Sequence, residues 1–328
     1  MNKNNLFSSL TLLGLFVFSS CNLDLAPEDT LSPKTYFKNG PQLELWTNHF
    51  YSLFPDVDDL AKQNADDNIS SELGETLMGQ RSAASENGWT WERLRDINYY
   101  LQHSNQCPDE HVRKQYDGVA YFFRAYFYFD KVKRYGDVPW YDQVLNFNDD
   151  KLLAKPRQDR EIIMDSVMQD LDKAIGMLPT KKDQVRVTKW TALALKSRVA
   201  LYEGTFRKYR GMNDAEKYLK QAVAAGEQFI DNSGYRLYTN GVEPYRTLFN
   251  SIDAVGDEII LAKRHSNTAN VRHSIPFNII IYRQSFTKRF MNHYLMADGT
   301  RFEDQAGWRT MDYATETRNR DPRMAQTV

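Results

Sequence analysis

"DGVAYFFRAYFYFDKVKRYGDVPW", residues 117–140, decides how this chain is read. Between positions 121 and 129 it places seven aromatic rings in nine positions. At about 100° per residue these rings point nearly all round a helix axis, so the helix is one that neighbours enclose. Arg124, Lys131, Lys133 and Arg134 argue against a membrane span. A narrow polar stripe remains at Asp117, Arg124 and Lys131. Gly118, Ala125 and Val132 form a slim line along which another helix can approach closely. The predicted helix runs from about Glu110 to Tyr135. Lys131, Lys133 and Arg134 suit its negative C-terminal end, with Gly136 as the expected C′ residue and Pro139 as the stop.

A chain of 328 residues means one large domain or two ordinary ones. Its net charge of -1 gives no general pull towards nucleic acid or anionic lipid, so a nucleic-acid partner is not expected. Aromatics at 13% are plentiful, and Tyr and Trp serve wet recognition surfaces as well as cores. The start, "MNKNNLFSSLTLLGLFVFSSC", has Lys3, an apolar run at 6–18, then Ser19 and Ser20 before Cys21. That is the layout of a secretory signal, and the run is shorter than the ~20 residues of a spanning helix. A Cys directly after small residues resembles a bacterial lipobox, whose Cys is lipidated; Phe18 stands where Leu is usual. The expected organisation is a signal peptide at 1–20, lipidation at Cys21 and an extended, Pro-interrupted tether over 21–40. Cys107 is then a lone thiol and no disulfide framework exists; it is expected to be buried rather than catalytic.

The rest of the chain reads as mostly α. Leu43, Trp46, Phe50 and Leu53 stand at helical spacing, and the acidic loop after them lacks the ligand pattern of a calcium loop. A helix is predicted after Asn87-Gly88 with Thr90 as N-cap and Trp91, Leu94, Asn98 and Leu101 on one face. Trp89 precedes it and is freer to be exposed. "REIIMDSVMQDLDKAIGMLP" offers Ile162, Ile163, Val167, Leu171, Ile175 and Leu178 to one side. "VTKWTALALKSRVALYEGT" is capped at Thr188 and expected to end at Gly204, and a further helix carries Ala215, Leu219, Ala222, Val223 and Phe229. Helices of ~15 to 25 residues with small residues at contacts suit tetratricopeptide-like pairs, here degenerate. The helical region is drawn over 41–265, with a loop-rich, less regular ligand-side region over 266–328. From Tyr235 onward, "LYTNGVEPYRTLFN", "DEIILAKRH" and "SIPFNIIIYRQSF" read as short β-like runs.

Catalytic patterns are absent: no HExxH, G-x-S-x-G, P-loop, G-x-G-x-x-G or CxxC. Six histidines are scattered without ligand spacing, so neither a metal nor a cofactor is expected. What remains is a binding vocabulary. A sugar ring stacks its apolar face on Trp or Tyr while its hydroxyls bond to Asn, Asp and Arg. Loop clusters able to do this hold Arg81, Asn87 and Trp89, then Tyr282 and Arg283, then Asp298, Arg301 and Trp308.

The opening stretch also resembles the hallmark helix of the SusD/RagB family of outer-membrane nutrient-binding lipoproteins, with its "YGDVP" ending. Other matches follow in family order: "LDLAPED" after the Cys, "WERLRDINYYL" with its Asn98, "RVTKWTALALKSRVALYEG" and "NRDPRM". Val119 and Phe123 depart from the usual residues without disturbing the helix. The resemblance implies tetratricopeptide-like helix pairs, a lipid anchor in the outer membrane with exposure at the cell surface, and no catalysis. It implies delivery of an oligosaccharide or other nutrient to a TonB-dependent, SusC-like transporter. Family members continue further than Val328, so the chain is expected to be C-terminally truncated. Alternatives kept open are a helical-repeat assembly scaffold and a glycoside hydrolase. Buried Trp89, Tyr282 and Trp308 would favour the first; two carboxylates facing across a cleft would favour the second.

Overall fold

The protein was analysed as a computed structural model that describes residues 35–60, 65–71, 73–75, 77–82, 88–146 and 148–327. Cys21, the apolar run at 6–18, most of the 21–40 stretch and Asn87 lie outside the described residues. The main helices are α1 (Gly40–Asn48), α2 (Glu92–His103), α3 (Glu110–Tyr135), α4 (Arg160–Met177), α5 (Lys189–Tyr209) and α6 (Ala215–Asn232). Consecutive helices pack on one another from α3 through α6, while α1 and α2 lie against α3. The architecture is thus mostly α, built from tetratricopeptide-like helix pairs. No helix among the described residues is long and apolar enough to cross a membrane.

The all-round aromatic pattern of α3 has its explanation in these three neighbours. Phe122, Phe123, Phe127, Tyr128 and Phe129 are buried, and each such ring contributes about 1.5–3 kcal/mol by leaving water. Phe123 meets Tyr51 and Phe54 edge-on or tilted, and Phe129 meets Tyr202 of α5. The helix starts where Asp109 accepts the Val112 N–H (3.1 Å) and ends at Gly136, whose φ of 73° favours glycine. Along the slim line, Ala125 and Val132 are fully buried. A Cβ on Gly118 would sit 3.0 Å from Met177 and Leu178 side-chain atoms, so a larger residue would crowd this approach of α4.

The polar stripe of α3 is no wet face. Arg124 and Lys131 are only 5% and 6% exposed. Burial acts against the charge of Arg124, yet hydrogen bonds and attraction from Asp170 outweigh it and hold the guanidinium pKa above its ordinary value. Asp117 is half-buried, and the loss of water around it pushes its carboxyl above the usual range.

Four local expectations need correction. The α2 helix begins at Glu92 with Trp91, not Thr90, in the capping position. The Trp91 ring is fixed against Phe127, Tyr128 and Tyr141, and the Glu92 carboxylate accepts the Trp91 N–H (3.1 Å) in place of a side-chain cap. Gly204 does not end α5, which runs on to Tyr209. A Cβ there would lie 2.8 Å from Leu219, so this glycine serves the α5–α6 contact rather than a stop. Val223, grouped with the apolar residues of α6, is 58% exposed, while Tyr218, Ala222 and Ala225 are buried. The β-like runs are also mostly not strands. Pro244–Asn250 and Ile275–Tyr282 are helices with Pro in the first turn, where its missing N–H costs nothing. Residues 258–263 form no ladder, although Ala262 N–H bonds to Gln184 O (2.7 Å). Among the described residues the sheet is one antiparallel pair, β1 (Asn68–Ile69) with β2 (Ser285–Phe286). A short apolar run cannot be told from a buried helix by periodicity alone, which is why these were misread.

Gly204→Val tests the close α5–α6 approach. It is expected to destabilise the protein by about 1–3 kcal/mol through overpacking against Leu219, read as a lower urea midpoint. A change no larger than that of Gly176→Val, where a Cβ meets nothing within 4 Å, would show that the helices have room to spare.

Candidate functional site

At the C-terminal end of α3 the chain leaves the bundle through "YGDVPWYDQ" and crosses the start of α2. The crossing is held by named bonds. Tyr128 Oη accepts the Tyr141 N–H (2.6 Å) and donates to Tyr141 O (3.2 Å). Asn98 of α2 donates through Nδ2 to Tyr141 O (3.0 Å) and Gln143 O (3.2 Å). Its Oδ1 accepts from Arg124 Nη1 (3.3 Å), and Arg124 makes a two-bond fork to Asp170 of α4, 2.6 Å and 2.8 Å long. Trp140 stacks on Tyr128 with centroids 4.2 Å apart, and its carbonyl accepts from Lys155 Nζ (3.0 Å). Burial raises the pKa of Tyr128 and Tyr141, so both hydroxyls stay protonated and able to donate at neutral pH.

Between this loop and α2 lies a groove of about 860 Å³, within the size range that accepts a small ligand. Trp89, Trp91 and Tyr141 form an aromatic wall; Gln143 and Asn146 supply amides, with Asn98 beneath them spent on the loop; Arg95, Lys155 and Arg157 supply cations. Trp89 is 38% exposed, meets Trp91 edge-on at 5.1 Å and Tyr135 at 4.8 Å, and carries the Arg157 guanidinium 4.8 Å from its ring centre. A larger cavity of about 1240 Å³ opens beside Tyr51, Phe54, Tyr126 and residues 258–264. Three of its cations, Arg186, Lys263 and Arg264, already hold Glu44, Asp56 and Asp253, so its polar lining is largely spent on the protein itself. The smaller groove is the better-equipped site.

The sequence-predicted site residues fall in separate places. Trp89 lines the groove, and Arg81 joins the same end of α3 by donating to Arg134 O (3.1 Å). Tyr282 ends the Ile275–Tyr282 helix, half-buried, with its carbonyl accepting from Ser71 N (2.8 Å); Arg283 follows, exposed, at φ 47°. Asp298 accepts from Thr300 in an exposed turn, which lowers its pKa, and Arg301 pairs with Glu303 at 2.6 Å. Trp308 is half-buried against Phe302 at 6.3 Å. None of these last five lines the groove. Residues missed in the sequence were Tyr141, Gln143, Asn146, Lys155 and Arg157, plus Arg95 on α2. One signal was available: Asn98, a polar side chain on the apolar face of α2, now 2% exposed. Among the described residues no group of three His, Cys, Asp or Glu is placed to hold a metal, and Cys107 is a buried free thiol.

Paired helices bearing an aromatic groove at one end define a mostly helical, helical-repeat architecture. Residues 46–201 match the SusD-like family, described as starch-binding and associating with the outer membrane. A SusD-like protein of Formosa agariphila is 26% identical over 247 residues, 65% of this chain and 44% of its own length. A SusD-like protein from Bacteroides fragilis superposes with a TM-score of 0.70 at 23% identity, covering 92% of this chain and 62% of that one. A laminarin-binding SusD-like protein superposes with a TM-score of 0.56 at 20% identity, over 71% of this chain and 52% of its own. Over residues 46–201 the chain is similar to the SusD-like family, and it spans less than half the length of the curated relatives it matches.

Asn98→Ala tests the support of the groove. Loss of the amide leaves the buried Arg124 Nη1 and two loop carbonyls short of a partner, at a cost of about 1–3 kcal/mol. Faster amide exchange over residues 140–146 is the expected signature by mass spectrometry. Unchanged exchange would mean the loop is held without Asn98, by Tyr128 and Lys155.

Proposed function

We propose that this chain is a non-catalytic glycan-binding protein of the cell surface, taking an oligosaccharide in the groove at Trp89 and Trp91. The observation that carries the reading is the half-open aromatic wall of Trp89, Trp91 and Tyr141 with the amides of Gln143 and Asn146 beside it. Apolar sugar faces stack on such rings, and hydroxyls exchange bonds with amides. The laminarin-binding relative supports the same ligand class. Trp89 is exposed and Tyr282 and Trp308 are half-buried, so the scaffold alternative loses its condition of three buried rings. Glycoside hydrolysis needs two facing carboxylates; among the described lining residues Glu92 is the one carboxylate, and it is bonded to the Trp91 N–H.

The further proposal is that Cys21 carries lipid in the outer membrane and that the bound sugar passes to a TonB-dependent transporter. Its support is the lipobox-like start and the family's description as associating with the outer membrane. Of the other expected ligand contacts, Arg81 and Asn87 belong with Trp89 in this proposal, and Tyr282, Arg283, Asp298, Arg301 and Trp308 form candidate outlying contacts.

Trp89→Ala is expected to weaken oligosaccharide binding by about tenfold, from the ~1–1.5 kcal/mol of a lost stacking contact, in isothermal titration against a polysaccharide panel. Release of shortened products from any glycan in that panel would overturn the non-catalytic reading. For the anchor, Cys21→Ala is expected to shift the protein out of the membrane fraction; full retention there would contradict lipidation.

A further inference from the structure

The groove carries more positive charge than a neutral sugar requires. Arg95 from α2, and Lys155 and Arg157 from the segment leading into α4, stand in its lining against the single carboxylate of Glu92. The chain as a whole has a net charge of -1, so this excess is local and not a general basicity. Asp142, Asp149 and Asp150 occupy the same connection, yet none lines the groove, and Asp149 accepts the Asn146 N–H at 2.8 Å.

These three cations also differ from three of the four cations that line the larger cavity. There Arg186, Lys263 and Arg264 are each neutralised by a carboxylate within 3.1 Å. Among the described residues Arg95, Lys155 and Arg157 hold no carboxylate. Lys155 donates to the Trp140 carbonyl, and Arg157 lies over the Trp89 ring. A guanidinium resting on an indole face keeps its fork of N–H donors at the ring's edge, free for a planar acceptor. A ring that stacks on this wall therefore brings any anionic substituent next to a free fork.

We propose that the groove selects an anionic oligosaccharide, one whose ring bears a carboxylate or a sulfate, which Arg157 and Arg95 engage while Trp89 and Trp91 hold the sugar face. The proposal rests on the groove being the glycan site. Charge-assisted bonds are roughly twice as strong as neutral ones, so the anion decides selectivity while stacking supplies ligand-tolerant affinity.

Isothermal titration of the full chain tests this with three series of matched length: oligogalacturonates, sulfated galactan oligosaccharides and neutral laminari-oligosaccharides. The expected result is that one anionic series binds at least about tenfold more tightly than the neutral series, and that this margin shrinks as salt rises towards about 1 M. Which anionic series wins separates carboxylate from sulfate. Both arginines are exposed, and Arg95→Gln with Arg157→Gln is expected to remove the margin while the thermal midpoint stays within a few degrees. Equal or tighter binding of the neutral series, insensitive to salt, overturns the anionic preference and leaves the glycan site standing. Binding by none of the three series overturns the site itself, as does anionic binding that Trp89→Ala leaves intact.

Discussion

The buried fork between Arg124 and Asp170 is the constraint on which the arrangement around α3 depends. Arg124 sits at the centre of a helix enclosed by α1, α2 and α4, where an unpaired guanidinium would cost several kcal/mol. Its relief is a carboxylate brought to it at the right height along α4 and a side-chain oxygen brought by Asn98 along α2, with the rings of Tyr121 and Trp140 beside it. Three helices are thereby set in register by one charged group. The pair itself adds little net stability, since its desolvation roughly cancels its attraction. Stability comes from the rings of α3, at about 1.5–3 kcal/mol each, which are non-directional and would tolerate several helix placements. Energy comes from the aromatics and position from the ion pair.

That division explains why the groove forms where it does. Asn98 spends its oxygen on Arg124 and its nitrogen on two carbonyls of the connection after α3, so the register of the helices is passed on to a loop. Tyr128 repeats the device from α3, accepting and donating to the same peptide unit of Tyr141. A loop over a rigid scaffold is where binding side chains are usually found, provided the loop is held. Here it is held from beneath by Asn98 and Tyr128, whose polar atoms are spent on the loop itself. Trp91 works on both sides, packing on Phe127 and Tyr128 while its remaining face lines the groove.

A second network ties the next helices together. Arg160 and Arg207 both reach Glu203, which is fully buried, from α4 and from one turn further along α5. Tyr218 of α6 packs under Arg207 and donates to Asp165 of α4 at 2.7 Å. The helix pairs are thus joined by buried charge at two levels, with small residues such as Gly118 and Gly204 allowing the backbones to come close enough.

Local patterning determined much of this protein. A helix with rings all round it must be central, and Asp109, Thr188 and Gly136 mark helix ends through their own side chain or lack of one. These are properties of residues a few positions apart, so they are legible without a fold. Only the tertiary structure decided that the polar stripe of α3 turns inward, because its partner Asp170 lies 46 positions away. The same holds for Gly204, whose role appears only once Leu219 is placed against it. Of the site, Trp89 was visible as an aromatic beside Gly in a polar loop. Tyr141, Lys155 and Arg157 were not, because nothing local distinguishes a groove-lining residue from any other loop residue. They become a site when Asn98 and Tyr128 fold the connection back over α2.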